Sequence, residues 1–347
     1  MTAPQLQVDD FIEESKNNLI IDVRSPIEFL KGHIIGAVNV PLFENEERAE
    51  IGTLYKQQGK EKAISRGLEI VNPKKPKFIE RVNQLSENKS VFVYCFRGGM
   101  RSNSFAWFLN AYGYDAKILK GGYKAFRNFV LNDFNKPRKI ILLGGKTGSK
   151  KTELLEQLKK EGFPTLNIEE LANHKGSAFG SINQHKQDPQ QIFENKLFQK
   201  LKSLNKHHYL IIEDESQTLG YNKIPHAFWL QMKKAPIIKI NLEINDRLNH
   251  LVKEYTTIDK QLLINAVNKI AQQLGPLNTK KCTHFIQEND LHSAAEICLY
   301  YYDRAYEFKY EKKTDVKIIE LTICNEDLKK NLAQLKQVIL KLNNHVD

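Results

Sequence analysis

The sequence predicts two α/β domains in succession, each on a parallel sheet, the second ending in a helical part. Three observations predict this. The chain has 347 residues, and at roughly 150 residues per domain two domains are expected. Short β-branched or apolar runs alternate with helix-like stretches, the pattern of parallel strands joined by crossover helices. The polar, proline-bearing segment Asn132-Asp133-Phe134-Asn135-Lys136-Pro137 interrupts that alternation, which then restarts. It reads as a linker and divides the chain into 1–134 and 135–347.

In the first half, the apolar runs 19–23 and 90–94 read as strands, each followed by a loop and a helix-like stretch. Residues 116–119 form a further short strand that ends at Gly121-Gly122. In the second half, 139–143 reads as a buried strand, and 209–212 and 236–240 as two more. From about Asp246 the signal is mostly helical. Apolar residues recur at three- and four-residue spacing over 258–274 and 325–342. No internal repeat or low-complexity tract breaks this order.

Composition bounds the class of protein. Apolar residues at 41% and charged residues at 27% suit a chain with a proper core and exclude wholesale disorder, collagen and a disulfide-stapled scaffold. The first residues lack the apolar stretch of a secretory signal, and no apolar run approaches the ~18 residues that span a bilayer. Cys95, Cys282, Cys298 and Cys324 show no C-x-x-C spacing, so no zinc or disulfide framework is expected. A cytoplasmic protein without a membrane partner is the expectation. The net charge of +11 is unevenly placed, with −6 over residues 1–50, +10 over 51–136 and +7 over the rest. A solvated lysine-rich surface would account for this, and so would a polyanion such as RNA gripped through its phosphates.

One loop carries a nucleophile. Cys95 follows a strand and opens Cys95-Phe96-Arg97-Gly98-Gly99-Met100-Arg101-Ser102. Gly98 and Gly99 let successive N–H groups turn inward as an anion nest. Arg97 and Arg101 add fixed positive charge, and a helix starting near Arg101 aims its positive end at the same spot. All three effects favour thiolate over thiol. Upstream, Asp22-Val23-Arg24 and the run Gly32-His33-Ile34-Ile35-Gly36-Ala37-Val38-Asn39-Val40-Pro41 resemble the rhodanese pattern. That resemblance implies a loop cysteine carrying chalcogen, with Asp22 and Arg24 as bracing residues. Five residues separate Cys95 from Arg101, the spacing of cysteine phosphatases, where ordinary sulfurtransferases have four. The loop therefore permits chalcogen transfer or attack on a phosphate ester.

A second loop is built for phosphate. After the 139–143 strand comes Gly144-Gly145-Lys146-Thr147-Gly148-Ser149-Lys150-Lys151-Thr152. Gly145, Lys151 and Thr152 fit the Walker pattern. Lys150 takes the place of its last glycine, where it either distorts the nest or adds an ammonium. Gly145, Lys146, Thr147, Gly148, Ser149, Lys151 and Thr152 are the candidate diphosphate ligands, with Thr152 also available for Mg²⁺. The 209–212 strand ends in Glu213-Asp214-Glu215-Ser216, acidic residues where a Walker B would place them, with Asp214 and Glu215 as the candidate supports for the P-loop. His174, Lys175 and Ser177 lie in a polar loop between the two.

A rhodanese-like half followed by a P-loop half resembles the bacterial tRNA 2-selenouridine synthases. The similarity runs through Cys95–Ser102, Gly121-Gly122-Tyr123-Lys124, Gly145–Thr152, His174-Lys175-Gly176-Ser177 with Phe179-Gly180, Phe193-Glu194-Asn195 and Glu213-Asp214-Glu215-Ser216. Lys150 and Gln217 depart from the family pattern, which has glycine and arginine there. The resemblance implies a transferase acting on the wobble 2-thiouridine of tRNA, with geranyl diphosphate and selenophosphate as co-substrates and no tightly bound cofactor. It also implies Cys95 as catalytic residue, the loop around it as the selenophosphate site, and His174, Lys175 and Ser177 as substrate contacts. Two other readings stand beside it. One is a sulfurtransferase or Cys-x5-Arg phosphatase fused to a P-loop kinase. The other is a non-catalytic tRNA-binding protein.

Overall fold

The structure, a computed structural model, describes residues 3–325 and 327–344. It divides into two compact units. The first holds the chain up to Phe134 together with Pro189–Phe198, and the second holds Asn135–Asp188 and everything from Gln199 on.

The first unit is built on a five-stranded parallel sheet in the order Gln5–Leu6, Asp115–Leu119, Ser90–Tyr94, Leu19–Asp22, Val38–Asn39. The two outer strands have two residues each and carry no periodic signal of their own. Pairing with Ile118-Leu119 and with Ile21-Asp22 is what extends them. Val91, Val93, Phe105, Leu109 and Ile118 sit in the buried core. The direction of chain travel reverses between Leu19–Asp22 and Ser90–Tyr94. The crevice beyond the carboxyl ends of strands at such a switch point is where open α/β sheets bind ligands, and Cys95 follows Ser90–Tyr94 there.

The expected linker is largely structured. Asn132 and Asp133 complete the helix Gly122–Asp133, and Phe134 is 1% exposed. A second correction concerns the domain plan, which took 135–347 as one unbroken piece. Pro189–Phe198, the start of the helix Gln190–Leu204, belongs to the first unit. Phe198 packs edge-on against Phe126 and Phe129 at 6.2 and 5.8 Å between ring centres. Glu194 pairs with Arg127, and buried Asn195 donates to the His33 carbonyl at 2.7 Å.

The second unit has its own five-stranded parallel sheet, in the order Ile318–Thr322, Ile237–Asn241, Ile140–Gly145, Leu210–Glu213, Thr165–Leu166. Ile140–Gly145 is central, with later strands added on both sides, so the loop after it also opens at a switch point. The helices Ile244–Tyr255, Lys260–Lys269, Pro276–Gln287 and Leu291–Glu311 form the expected helical part. Residues including Leu263, Val267, Cys282, Ile286 and Cys298 make its core. The strand Ile318–Thr322 stands within the mostly helical stretch after Asp246 and had no signal of its own. Its apolar residues 318, 319 and 321 are spaced as on a helix face. Pairing with Ile237–Asn241 and the Lys239–Glu320 bridge of 2.9 Å make it an edge strand. The helix expected over 325–342 is observed at Leu328–Asn344, and Glu326 lies outside the described residues. Among the described residues, no helix is long and apolar enough to cross a membrane.

Candidate functional site

Cys95 sits at the carboxyl end of Ser90–Tyr94 and is 3% exposed. The loop after it is shaped by backbone packed on backbone. A Cβ at Gly122 would lie 2.3 Å from the Cys95 carbonyl and 2.4 Å from Gly98 N, and one at Gly98 would meet Leu119 O at 2.7 Å. Only glycine fits either place. The Tyr123 and Lys124 amides donate to the carbonyls of Cys95 and Phe96, both at 2.9 Å. The helix Gly122–Asp133 therefore takes the loop's outward carbonyls. The helix Met100–Ala111 starts at the other end of the loop, with Gly99 as its N-cap and first N–H groups that lack intrahelical partners.

Ser102 Oγ lies 3.2 Å from Cys95 Sγ and 3.1 Å from the Gly99 carbonyl. A hydroxyl has one proton. When it donates to Gly99 the thiol donates to it, and when the sulfur is a thiolate the same proton can turn inward. Arg101 is tied to Glu28 at 2.9 Å, with Arg48 3.8 Å from the same carboxylate. Burial works against the Glu28 charge, but the Arg101 hydrogen bond and charge outweigh it and hold the carboxyl below the usual range. Arg97 is exposed on the loop. Below, the buried Asp22–Arg24 pair (2.5 Å) joins the Gly32 carbonyl (2.6 Å), and the guanidinium lies 3.9 Å over the Tyr123 ring. This lattice ties the Asp22-Val23-Arg24 turn to the residue that anchors the cysteine loop. Cys95, Arg97, Gly99 and Arg101 line a chamber of about 1130 Å³, and Gly98 is outside it.

In the second unit a cavity of about 620 Å³ is lined by Thr147–Glu153, Glu169, Lys175, Ser177, Glu213–Ser216, Tyr306 and others. The helix Lys151–Lys160 starts on its floor, and Lys151 Nζ folds back to the Gly145 and Lys146 carbonyls at 3.0 and 3.3 Å. Two of the expected ligands are engaged elsewhere. The Gly145 amide donates to Tyr310 Oη at 2.9 Å, and the Lys146 ammonium pairs with Glu307 at 2.7 Å and Asp303 at 3.5 Å. Neither lines the cavity. Lys150 adopts φ +60° and ψ +24°, the left-handed conformation that glycine supplies in the usual pattern, and Leu154 N still bonds its carbonyl at 3.0 Å. Lys150 thus follows the loop rather than distorting it. A β-branched residue suits this conformation worst. Lys150→Val is therefore expected to lose about 1–2 kcal/mol of stability relative to Lys150→Gly, read by urea unfolding. Equal stabilities would contradict the left-handed assignment.

Two residues with no sequence signal brace this loop. Arg247, 3% exposed, donates to the Thr147 carbonyl at 2.8 Å and grips Asp303 through two bonds of 2.8 and 2.6 Å. Asp214, an expected support, is instead held by Lys309 and Lys313 at 3.1 and 2.9 Å. The carboxylates that gather near Thr152 are Glu213 and Glu215, both in the expected acidic run, and Glu169, which had no sequence signal. Their oxygens lie within 4.8 Å of one another. Glu213 Oε1 accepts from Thr152 Oγ1 at 2.8 Å, while buried Oε2 has no partner among the described residues. Burial, with the charges of its neighbours, pushes Glu169 up to about 9 and Glu215 up to about 7.

That donor set fits a divalent cation of the kind P-loop folds hold: hard oxygens, a hydroxyl, and an orphaned carboxylate oxygen. Because both folded-state values lie above the ordinary carboxyl value, the protonated cluster favours folding at low pH. That contribution is lost as pH rises through about 7 and then about 9. The cluster is therefore expected to lower the melting temperature of the metal-free protein from pH 6 to pH 9, and Mg²⁺ should restore it most at pH 9. Differential scanning fluorimetry reads this, and Glu169→Gln should flatten the trend.

Lys175 and Ser177 line the cavity, Lys175 pairs with Glu254, and His174 stands outside the lining. His174 Nδ1 accepts from the Gly176 amide at 3.2 Å, and burial holds its pKa down. Gly176 presses on the acidic cluster, since a Cβ there would lie 2.6 Å from Glu215 Oε2. Gln217 bonds the Ile224 carbonyl at 3.4 Å, beside the two-stranded ribbon of Thr218–Leu219 and Asn222–Lys223. Thr147, Ser177, Leu251, Tyr255 and Tyr302 line this cavity and also an apolar slot that runs into the helical part past Val267, Cys282 and Ala294.

Topology and loops together define the class: a rhodanese-like domain followed in one chain by a P-loop domain with a helical C-terminal part. Family models agree. One described as "Rhodanese-like domain" matches residues 6–129, and one described as "tRNA 2-selenouridine synthase AAA domain" matches residues 138–337. The protein named tRNA 2-selenouridine synthase in Shewanella frigidimarina is 38% identical over 267 residues, covering 75% of this chain and 71% of its own. That of Psychromonas ingrahamii is 33% identical over 330 residues, covering 85% and 89%, and that of Nitrosomonas europaea 36% over 290, covering 80% and 73%. The chain belongs to the tRNA 2-selenouridine synthase family.

Proposed function

We propose that the chain modifies tRNA by replacing the sulfur of the wobble 2-thiouridine with selenium, in two steps. First the thiocarbonyl sulfur attacks C1 of geranyl diphosphate and diphosphate leaves. Selenium from selenophosphate then displaces the alkylated sulfur. Alkylation suits the second step, because it turns a poor leaving group into one that departs as a thiol.

The observation that carries this reading is the form of the P-loop cavity. Its phosphate end is a helix N-terminus with Lys151 and Thr152, and its rim continues into the apolar slot past Leu251, Tyr255 and Tyr302. An alkyl diphosphate has that same division between charged head and greasy tail. Lys151 and the first helical N–H groups would stabilise the diphosphate as it departs. A divalent cation held by Glu169, Glu213, Glu215 and Thr152, when bound, supplies further positive charge to the same group. In the other unit, the Cys95 loop offers amides and arginines to the oxyanions of selenophosphate, with the Cys95 thiolate taking part in selenium delivery. A base in an anticodon must leave its stack to reach either loop, and the positive surface after residue 50 suits the RNA backbone.

The test incubates the protein with 2-thiouridine tRNA, geranyl diphosphate and selenophosphate, then digests the RNA to nucleosides for mass spectrometry. S-geranyl-2-thiouridine followed by 2-selenouridine is the expected result. An unchanged nucleoside with phosphate released from ATP or an aryl phosphate would replace this reading by the phosphatase–kinase one. Tight tRNA binding without turnover would leave a binding protein.

A further inference from the structure

The chamber beside Cys95 is much larger than an oxyanion needs. At about 1130 Å³ it lies at or above the ~300–1,000 Å³ of sites for drug-sized ligands, whereas selenophosphate has five non-hydrogen atoms. The walls are also wrong for an anion alone. Phe43, Phe78 and Phe105 line the interior, while Tyr55, Leu68, Met100 and Trp107 stand on the same lining with 58, 53, 50 and 58% of their surfaces exposed. Large apolar side chains exposed together on one concave surface mark a binding site, unlike scattered ones. The arginines of the lining, Arg48, Arg97 and Arg101, join this apolar wall where it meets the cysteine loop. An occupant that satisfies all of these groups has an anionic part at the arginines, an apolar part along the walls, and its reacting atom between them near Cys95.

We propose that the chamber beside Cys95 receives the alkyl group of the S-alkylated base during selenium transfer. This rests on the two-step reading above and adds where the second step holds its substrate. Selenium in selenophosphate is already at the selenide level. It forms a bond to C2 of the base as the C2–S bond breaks, and the sulfur leaves with its prenyl group and one proton as the thiol. Water cleaves the P–Se bond to give phosphate, and N3 of the base, which carries no proton in the S-alkylated form, gains one from the selenophosphate and water. Nothing is oxidised or reduced. The chamber assists by giving the departing prenyl thiol an apolar surface instead of water.

Anticodon stem–loop RNAs carrying S-geranyl- or S-methyl-2-thiouridine separate the outcomes by their affinities for the full-length protein. Wild type is expected to bind the geranyl RNA about 100-fold more tightly than the methyl RNA, given the apolar area a ten-carbon chain buries. Leu68→Asp and Trp107→Asp, both at exposed wall positions, should each cut that ratio about tenfold. Circular dichroism shows whether each variant is folded, and either one alone suffices. A wild-type ratio near one, or a ratio that both folded variants retain, overturns the proposal. A ratio that collapses in Ala294→Trp instead would move the tail to the slot beside the P-loop, and also overturns it. Failure of the two-step reading shows separately, as absence of S-geranyl-2-thiouridine from the nucleoside digest.

Discussion

Cys95→Ala is expected to lower 2-selenouridine formation on the order of 10³-fold or more, as loss of a catalytic side chain does elsewhere, while tRNA affinity survives. Affinity is expected to survive because Cys95 is only 3% exposed and the substitution removes no arginine or lysine that would meet RNA phosphates. Quantitative nucleoside mass spectrometry beside a filter-binding isotherm checks both halves. Ser102→Ala should be milder, because Ser102 acts on the sulfur through a single 3.2 Å contact and leaves the nest of amides in place. Full activity in Cys95→Ala would remove the thiolate from the chemistry and leave the loop as an oxyanion cradle only.

Lys151→Ala is expected to cut S-geranylation about 10²–10³-fold, the usual loss when one preorganised charge-stabilising group is removed. Its ammonium is poised at the Gly145 and Lys146 carbonyls, on the floor of the phosphate cavity, where charge on a departing diphosphate would build up. Lys146→Ala is the informative contrast. Its ammonium already pairs with Glu307 and Asp303 and does not line the cavity, so its loss should be several-fold at most. Calorimetry with inorganic pyrophosphate separates binding from turnover in both variants. If Lys146→Ala weakens pyrophosphate binding more than Lys151→Ala, the Walker alignment is in the wrong register.

Both loops were legible because the features that shape them lie in consecutive residues. A nest of amides, a helix N-terminus and a glycine contact are local, so Cys95–Ser102 and Gly145–Thr152 announce themselves in one dimension. The long strands were legible for the same reason, since a buried parallel strand is a continuous apolar run. The short strands Gln5–Leu6, Val38–Asn39 and Thr165–Leu166 had no such run, and each exists because a neighbouring strand presents free N–H and C=O groups. Phe193-Glu194-Asn195 was visible as a motif, but its place was not. The sequence puts it inside the P-loop half, and the bonds of Glu194 to Arg127 and of Asn195 to Tyr123 put it in the first unit. For Asp214 adjacency misled, because along an extended chain end alternate side chains point opposite ways. Glu213 therefore reaches Thr152 while Asp214 meets Lys309 and Lys313.

By itself, then, the sequence determined two parallel-sheet domains, a cysteine in a glycine- and arginine-bearing loop, a Walker-like loop, and a positive charge balance after residue 50. These follow from composition, periodicity and short-range spacing. Tertiary structure alone decided the rest: the carboxylate cluster of Glu169, Glu213 and Glu215, the Arg247–Asp303 brace on the P-loop, the slot past Tyr255 and Tyr302, and the apolar chamber around Cys95. Each joins residues far apart in the chain, and burial is what gives each its chemistry. A carboxylate is raised, a guanidinium fixed or an apolar wall left open only by what surrounds it.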